Sequence, residues 1–84
     1  MKIEIIGDKD RTKSTTLFSN TLEALKSCGV DGKVVLVNDI QTILKYGVML
    51  TPALVVNGIV LFSGRFGSLE EITVLLQQSL PFFM

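Results

Sequence analysis

The segment Val48-Met49-Leu50-Thr51-Pro52-Ala53-Leu54-Val55-Val56-Asn57-Gly58 decides the fold of this chain. Proline has no N–H to donate to a sheet, so Pro52 belongs at the first residue of the apolar strand that follows it. Asn57-Gly58 separates that strand from a second apolar run over 59–63, and both turn residues tolerate the positive φ angles of a two-residue hairpin. The segment therefore predicts an antiparallel hairpin that begins at a proline.

The residues before this hairpin predict two buried strands joined by a helix. Residues 2–6 and 34–37 are rich in Ile and Val, as is typical of strands that are covered on both faces. Between them, apolar residues recur at spacings of three and four from Leu17 to Cys28, and Gly29 follows as a helix end. Asp10 or Thr12 is expected to supply the oxygen that caps the start of this helix. Because the connection is a helix, the two strands should be parallel with a right-handed crossover.

Two more helices complete the expected fold. A short helix should start at the cap Asn38-Asp39-Ile40-Gln41 and end at Gly47, and a last one should start at Ser68-Leu69-Glu70-Glu71 and end before Pro81. The resulting order is β-α-β-α-β-β-α. It predicts a single α/β domain over residues 1–84, with a four-stranded mixed sheet in the order 2-1-3-4 and helices on both faces.

Composition excludes several classes of function. The 84 residues carry eight basic and eight acidic side chains, so no overall field attracts nucleic acid or an anionic membrane. No apolar run approaches the ~20 residues of a membrane span. With one cysteine and no histidine, neither an internal disulfide nor a zinc or iron–sulfur site is expected, and we predict no cofactor. The single cysteine and the lack of a signal-peptide pattern predict a cytoplasmic protein.

The predicted order and the position of Pro52 resemble the thioredoxin fold, and more closely the small glutaredoxin-like redox-active disulfide proteins of prokaryotes. The resemblance spans nearly the whole chain. It rests on Lys2-Ile3-Glu4-Ile5-Ile6-Gly7, on Asp39-Ile40 and above all on the segment from Tyr46 to Gly58. It implies that the Thr51–Pro52 bond is cis and lies beside an active site. It also implies a Cys-x-x-Cys pair at the start of the first helix, where the helix dipole lowers the pKa of a thiol.

The chain departs from this family at the cysteines themselves, because the matching stretch reads Asp10-Arg11-Thr12-Lys13. Neither Asp10 nor Lys13 can form or attack a disulfide, so dithiol–disulfide exchange is not expected. The prediction is a redox-inactive binding module whose groove takes a peptide, a protein partner or a glutathione-like thiol. Its site residues would be Asp10, Arg11, Thr12, Lys13, Thr51 and Pro52.

Three alternatives remain open at this point. Asp10 and Lys13 could form only a solvated pair where an active site has been lost. Cys28 could act as the thiol of a monothiol redox protein, although a cysteine on an apolar helix stripe usually behaves as a small hydrophobic residue. The chain could also be a self-associating subunit that uses an apolar surface or its tail, Phe82-Phe83-Met84.

Overall fold

The computed structural model of the protein describes residues 1–8, 11–65 and 67–79. The seven predicted elements are present in the predicted order: β1 (Lys2–Ile6), α1 (Thr12–Cys28), β2 (Lys33–Val37), α2 (Ile40–Tyr46), β3 (Ala53–Val56), β4 (Ile59–Ser63) and α3 (Leu69–Ser79). The predictions made for Asp10, for Pro81 and for the apolar tail lie outside the described residues.

The four strands form one mixed sheet in the order β2-β1-β3-β4, which confirms the predicted topology. β1 runs parallel to β2 and antiparallel to β3, and β3 pairs antiparallel with β4. In this register Ile6, the last residue of β1, lies between Val37 at the end of β2 and Ala53 at the start of β3. Two strands therefore end, and a third begins, at the same edge of the sheet.

The hairpin between β3 and β4 turns at Asn57 and Gly58, as predicted. Both residues have positive φ angles, 50° and 85°, which is the backbone of a tight hairpin turn that matches strand twist. The Asn57 side chain also accepts a hydrogen bond of 2.8 Å from the backbone N–H of Lys2. The turn is thus tied to the beginning of β1.

The sheet carries a hydrophobic core on each face. On one face α1 and α3 pack on alternate strand residues, and this core includes Ile5, Leu17, Leu54, Ile72 and Leu76. On the other face α2 contributes Ile43 and Tyr46 to a smaller core formed by Ile6, Val48, Ala53 and Val55. The alternation of side chains along each strand decides which residues enter which core. Helices therefore lie on both faces, as the sequence predicts.

Two details of the helices differ from the sequence prediction. The N-cap of α1 is Arg11, which makes no side-chain capping bond, whereas Asp10 or Thr12 was expected to supply that oxygen. The N-cap of α2 is Asp39, one residue later than expected, because its carboxylate accepts the N–H of Thr42 at 3.0 Å.

No helix among the described residues is both long enough and apolar enough to cross a membrane.

Candidate functional site

A groove of about 790 Å³ opens at the edge of the sheet where β1 and β2 end and β3 begins. One wall comes from the start of α1 and the other from the segment that leads into β3. Its lining residues are Asp8, Arg11, Thr12, Lys13, Ser14, Asn38, Met49, Leu50, Thr51 and Pro52. Five of the six predicted site residues therefore line one groove. Asp10 lies outside the described residues.

The wall from α1 presents three exposed side chains above one buried side chain. Arg11, Thr12 and Lys13 are exposed, whereas Ser14 is only 1% exposed and packs beneath them. The first turn of a helix also leaves backbone N–H groups without partners inside the helix. This wall therefore offers positive charge, a hydroxyl and N–H donors to whatever enters the groove.

The opposite wall is the segment from Met49 to Pro52. The Thr51–Pro52 peptide bond is cis. The carbonyl of Pro52 accepts a hydrogen bond of 2.9 Å from the N–H of Gly64, which fixes this segment against the end of β4. Thr51 is exposed, and its backbone N–H and C=O make no hydrogen bond to any other described residue. Both backbone groups of Thr51 are thus available to an extended chain laid beside them.

Charges around the groove are mixed. Asp8 lines it together with Arg11 and Lys13, and neither of these two basic side chains forms an ion pair with a described residue. Within the described ranges, the side-chain ion pair is instead formed by Arg65 and Glu71, away from the groove lining. The hydrogen bond from Arg65 lowers the pKa of the Glu71 carboxyl.

One polar contact caps the start of α2 beside the groove, and another ties the end of α2 to β1. Hydrogen bonds from Thr42 lower the pKa of Asp39, the residue next to the groove residue Asn38. At the other end of α2, the Tyr46 hydroxyl donates a hydrogen bond of 2.6 Å to Oε1 of Glu4, which is only 8% exposed on β1. This bond, together with desolvation and the nearby carboxylate charge, raises the pKa of Tyr46.

Cys28 lies far from the groove. It is the last residue of α1, whose first residue, Thr12, is in the groove wall, and a helix of this length places them about 24 Å apart along its axis. Its side chain is partly buried against the larger core, and its Sγ is 3.9 Å from the carbonyl oxygen of Thr73. The only cysteine in the chain therefore cannot act on a ligand in the groove.

No group of three or more His, Cys, Asp or Glu side chains among the described residues is arranged to hold a metal ion. The donors that the groove does offer are suited to hydrogen bonding: a hydroxyl, the amide of Asn38 and the backbone of Thr51.

Sequence reasoning missed half of the lining. Asn38 could have been found, because it directly follows β2, which is parallel to β1, and the carboxyl ends of neighbouring parallel strands share one edge. Met49 and Leu50 belong to the segment that contains Thr51-Pro52, but both are apolar, and nothing in the sequence indicated that they face solvent. They are 92% and 66% exposed.

The sequence model of the family described as "Thioredoxin domain" matches residues 1–77. The chain belongs to the thioredoxin-domain family. The matched residues include both walls of the groove. The groove between the start of α1 and the segment before β3 is therefore part of the thioredoxin domain.

Two relatives named thioredoxin support the assignment. A protein named thioredoxin from Methanothermobacter thermautotrophicus is 34% identical over 76 residues, which cover 90% of this chain and 97% of that protein. A protein named thioredoxin from Methanocaldococcus jannaschii is 30% identical over 60 residues, 71% of this chain and 69% of that protein. This thioredoxin-domain chain has a single cysteine, at position 28.

Proposed function

We propose that this thioredoxin-domain protein is a redox-inactive binding module. Its ligand is an extended peptide, a segment of a protein partner or a glutathione-like thiol, bound in the groove beside Pro52. The observation that carries the proposal is the exposed backbone of Thr51, which has no hydrogen-bond partner among the described residues and lies across the groove from Arg11 and Lys13.

Strand-like addition is the binding mode that this wall supports. An extended ligand can accept a hydrogen bond from the Thr51 N–H and donate one to the Thr51 C=O, as peptides do when they pair with an open strand edge. Such contacts use only main-chain atoms, so they do not require a cysteine in the protein. The apolar side chains of Met49 and Leu50 offer contact area beside this backbone, and the basic side chains of α1 lie opposite.

The absence of thiols from the groove supports a role without exchange chemistry. Exchange requires a thiolate that attacks a disulfide sulfur and a second thiol that resolves the mixed disulfide. Positions 10 and 13 carry Asp and Lys, and Cys28 is at the far end of α1. Among the described residues no contact of Cys28 favours a monothiol role, because its side chain packs partly buried against the larger core at the end of α1 far from the groove. The lone cysteine also supports our expectation of a cytoplasmic location.

Titration of isotope-labelled protein with reduced glutathione, followed by amide chemical shifts, tests the proposal. We expect saturable shifts at residues 11–14 and 49–53. S-methylglutathione should bind with similar affinity, because the contact does not use the thiol. The ligand-induced shifts should be reduced in Met49→Ala. They should be unchanged in the control variant Ile59→Ala, which alters an exposed apolar residue outside the groove lining. No shifts at millimolar concentrations of either compound would exclude glutathione-like ligands. The absence of shifts with extended peptides as well would overturn the proposal.

A further inference from the structure

The hydroxyl of Ser14 lies on the floor of the groove, between its two walls. Ser14 lines the groove and is only 1% exposed. A Cβ atom on Gly7 would overlap the Ser14 Oγ and would lie 3.5 Å from the Cβ of Pro52, so the hydroxyl is close to the wall that contains Pro52. It makes no hydrogen bond to any described residue, whereas the neighbouring hydroxyl of Thr15 donates to the carbonyl of Thr12 at 3.0 Å.

A buried hydroxyl without a partner in its own chain, such as that of Ser14, is unusual in a folded protein. Within the part of the chain that the structure describes, no side-chain oxygen or nitrogen is both fully enclosed and unbonded, so the Ser14 oxygen keeps access to the groove. Its hydrogen-bond partner therefore comes from the groove.

Three backbone N–H groups at the start of α1 are also free. The hydrogen bonds of the helix begin with the N–H of Thr15, which donates to the carbonyl of Arg11 at 3.1 Å. The N–H groups of Thr12, Lys13 and Ser14 precede it and have no acceptor among the described residues. The first turn carries no acidic residue, and the N-cap makes no side-chain capping bond. The positive end of this 17-residue helix is therefore open to an anion.

The side chains at this helix start carry a net positive charge. Arg11 and Lys13 are exposed, line the groove and form no ion pair with a described residue. Asp8 brings one negative charge to the same lining. Over residues 8–13, three basic side chains outnumber two acidic ones, which leaves the segment a formal charge of +1. Side-chain charge and helix dipole thus both favour a negative group at this wall.

We infer that the ligand of the groove carries an anionic oxygen group, a carboxylate or a phosphate, which binds at the start of α1. The inference rests on the proposed function and narrows its peptide ligand to an acidic or phosphorylated one. The anionic oxygens would accept hydrogen bonds from the Ser14 hydroxyl and the free N–H groups, with Arg11 and Lys13 beside them. A phosphate should bind more tightly than a carboxylate, because it has more acceptor oxygens and a larger negative charge.

An extended peptide can use both walls of the groove at once. Its backbone would pair with Thr51, and because side chains alternate in direction along an extended chain, one of them can be directed toward α1. Met49 and Leu50 would contact the apolar parts of the peptide. The backbone contact supplies affinity for any extended peptide, whereas the contact with α1 selects a peptide with an anionic side chain.

Titration with inorganic phosphate at constant ionic strength, followed by amide chemical shifts, tests the anion site without a peptide. We expect saturable shifts at residues 12–14. Ser14→Ala should weaken phosphate binding about tenfold, the usual effect of losing a hydrogen bond to a charged group. Lys13→Gln should weaken it about twofold to fivefold, as is typical of an exposed charge pair. Because Lys13 is exposed, this second variant tests the inference even where Ser14→Ala is less stable.

Two exposed residues of α1 outside the groove lining provide matched controls. Ser19→Ala removes a hydroxyl and Lys26→Gln removes a positive charge, and both variants should bind phosphate like the natural protein. No saturable shifts at residues 12–14 of the natural protein would overturn the inference. An equal loss of phosphate affinity in Lys13→Gln and Lys26→Gln would show only general charge attraction and would also overturn it.

Peptides test whether the anionic group belongs to the ligand. Three blocked hexapeptides, identical except for Ala, Glu or phosphoserine at one central position, are titrated in the same way. We expect affinity to increase in that order, and the differences to become smaller in Ser14→Ala. Equal affinity for the three peptides would overturn this inference and leave the proposed function intact. Phosphate binding without binding of any peptide would instead overturn the proposed function, and with it the assignment of a peptide ligand.

Discussion

Gly7 and Ser14 approach each other so closely that a Cβ atom on Gly7 would overlap the Oγ of Ser14 and lie 3.1 Å from its Cβ. The same Cβ would be 3.5 Å from the Cβ of Pro52. Gly7 also donates a hydrogen bond of 2.9 Å to the carbonyl of Val37. This glycine is therefore where the end of β1, the end of β2, the start of α1 and the start of β3 meet, and both walls of the groove are positioned against it.

Gly7→Ala should destabilise the protein by about 1–3 kcal/mol, the usual effect of forcing extra atoms into a packed site. Urea denaturation measures the change. In a Ser14→Ala background the penalty should be smaller, because the overlapping Oγ is gone, but not zero, because the Cβ contact remains. An equal penalty in both backgrounds would show that the contact between these two residues is not the cause.

Tyr46→Phe should lower the melting temperature at neutral pH by removing the hydrogen bond that the largely buried Glu4 carboxylate accepts. In Glu4→Gln, which no longer presents a buried charge, the same substitution should have a smaller effect, and a double-mutant cycle measures the difference. Because the pKa of Tyr46 is raised in the folded state, its contribution is complete below its ordinary value of 10.0. The contribution is lost as pH rises through the higher folded value.

A difference in melting temperature between the natural protein and Tyr46→Phe that stays constant to strongly alkaline pH would contradict this account of the Tyr46–Glu4 contact.

Asp39→Ala should destabilise α2 and lower the melting temperature, because the Thr42 N–H loses its acceptor. Asp39→Asn, which retains a capping oxygen without the charge, should have a much smaller effect at neutral pH. Because the pKa of Asp39 is lowered in the folded state, Asp stabilises the protein more than Asn does at pH values above 3.8, the ordinary pKa of an Asp side chain. That advantage disappears as pH falls through the lower folded value. Thermal melts of the three proteins between neutral and acidic pH measure this, and an Asp advantage that grows on acidification would be inconsistent with it.

Cys28 in the native protein should react slowly with a thiol reagent such as 5,5′-dithiobis(2-nitrobenzoic acid). Its side chain is partly buried against the larger core, at the C-terminal end of α1. Labelling should accelerate in denaturant, and Cys28→Ser should bind glutathione like the natural protein. Rapid labelling of the folded protein would instead favour the monothiol alternative.

Most of the fold could be predicted from local chemistry. Pro52 marks the start of the β3–β4 hairpin because it has no N–H to donate to the sheet. Asn57 and Gly58 mark its turn because both residues adopt positive φ angles. The connection of residues 2–6 to 34–37 through a helix makes those strands parallel, and this brings their ends to the groove edge. The strand order then follows as the economical way to join a parallel pair and a hairpin in one mixed sheet, and it agrees with the observed sheet.

The exposed apolar residues could not be predicted in the same way. Ile40 and Leu44 have helical spacing with Ile43, and spacing alone does not state how wide a contact a seven-residue helix makes with its sheet. The contact between α2 and the sheet includes the hydrogen bond from Tyr46 to Glu4, two residues that are 42 positions apart and meet only in the folded chain. The cap of α1 was misplaced for a related reason: a capping oxygen is a preference, and Arg11 occupies the N-cap without one.

The measurement that tests the central claim most directly compares the natural protein with Asp10→Cys/Lys13→Cys in the reduction of insulin disulfides by dithiothreitol. The claim is that this thioredoxin domain retains the groove and lacks only the two thiols. We predict no reduction above background for the natural protein and clear catalysis by the double variant. The two thiols would occupy positions 10 and 13, which the resemblance matches to a Cys-x-x-Cys pair at the start of the first helix, where thiolates are favoured. Lys13→Cys alone provides the control, because the only other cysteine, Cys28, is too far along α1 to pair with it. Catalysis by the natural protein would contradict the claim, and an inactive but folded double variant would show that the groove is not that of a working thioredoxin.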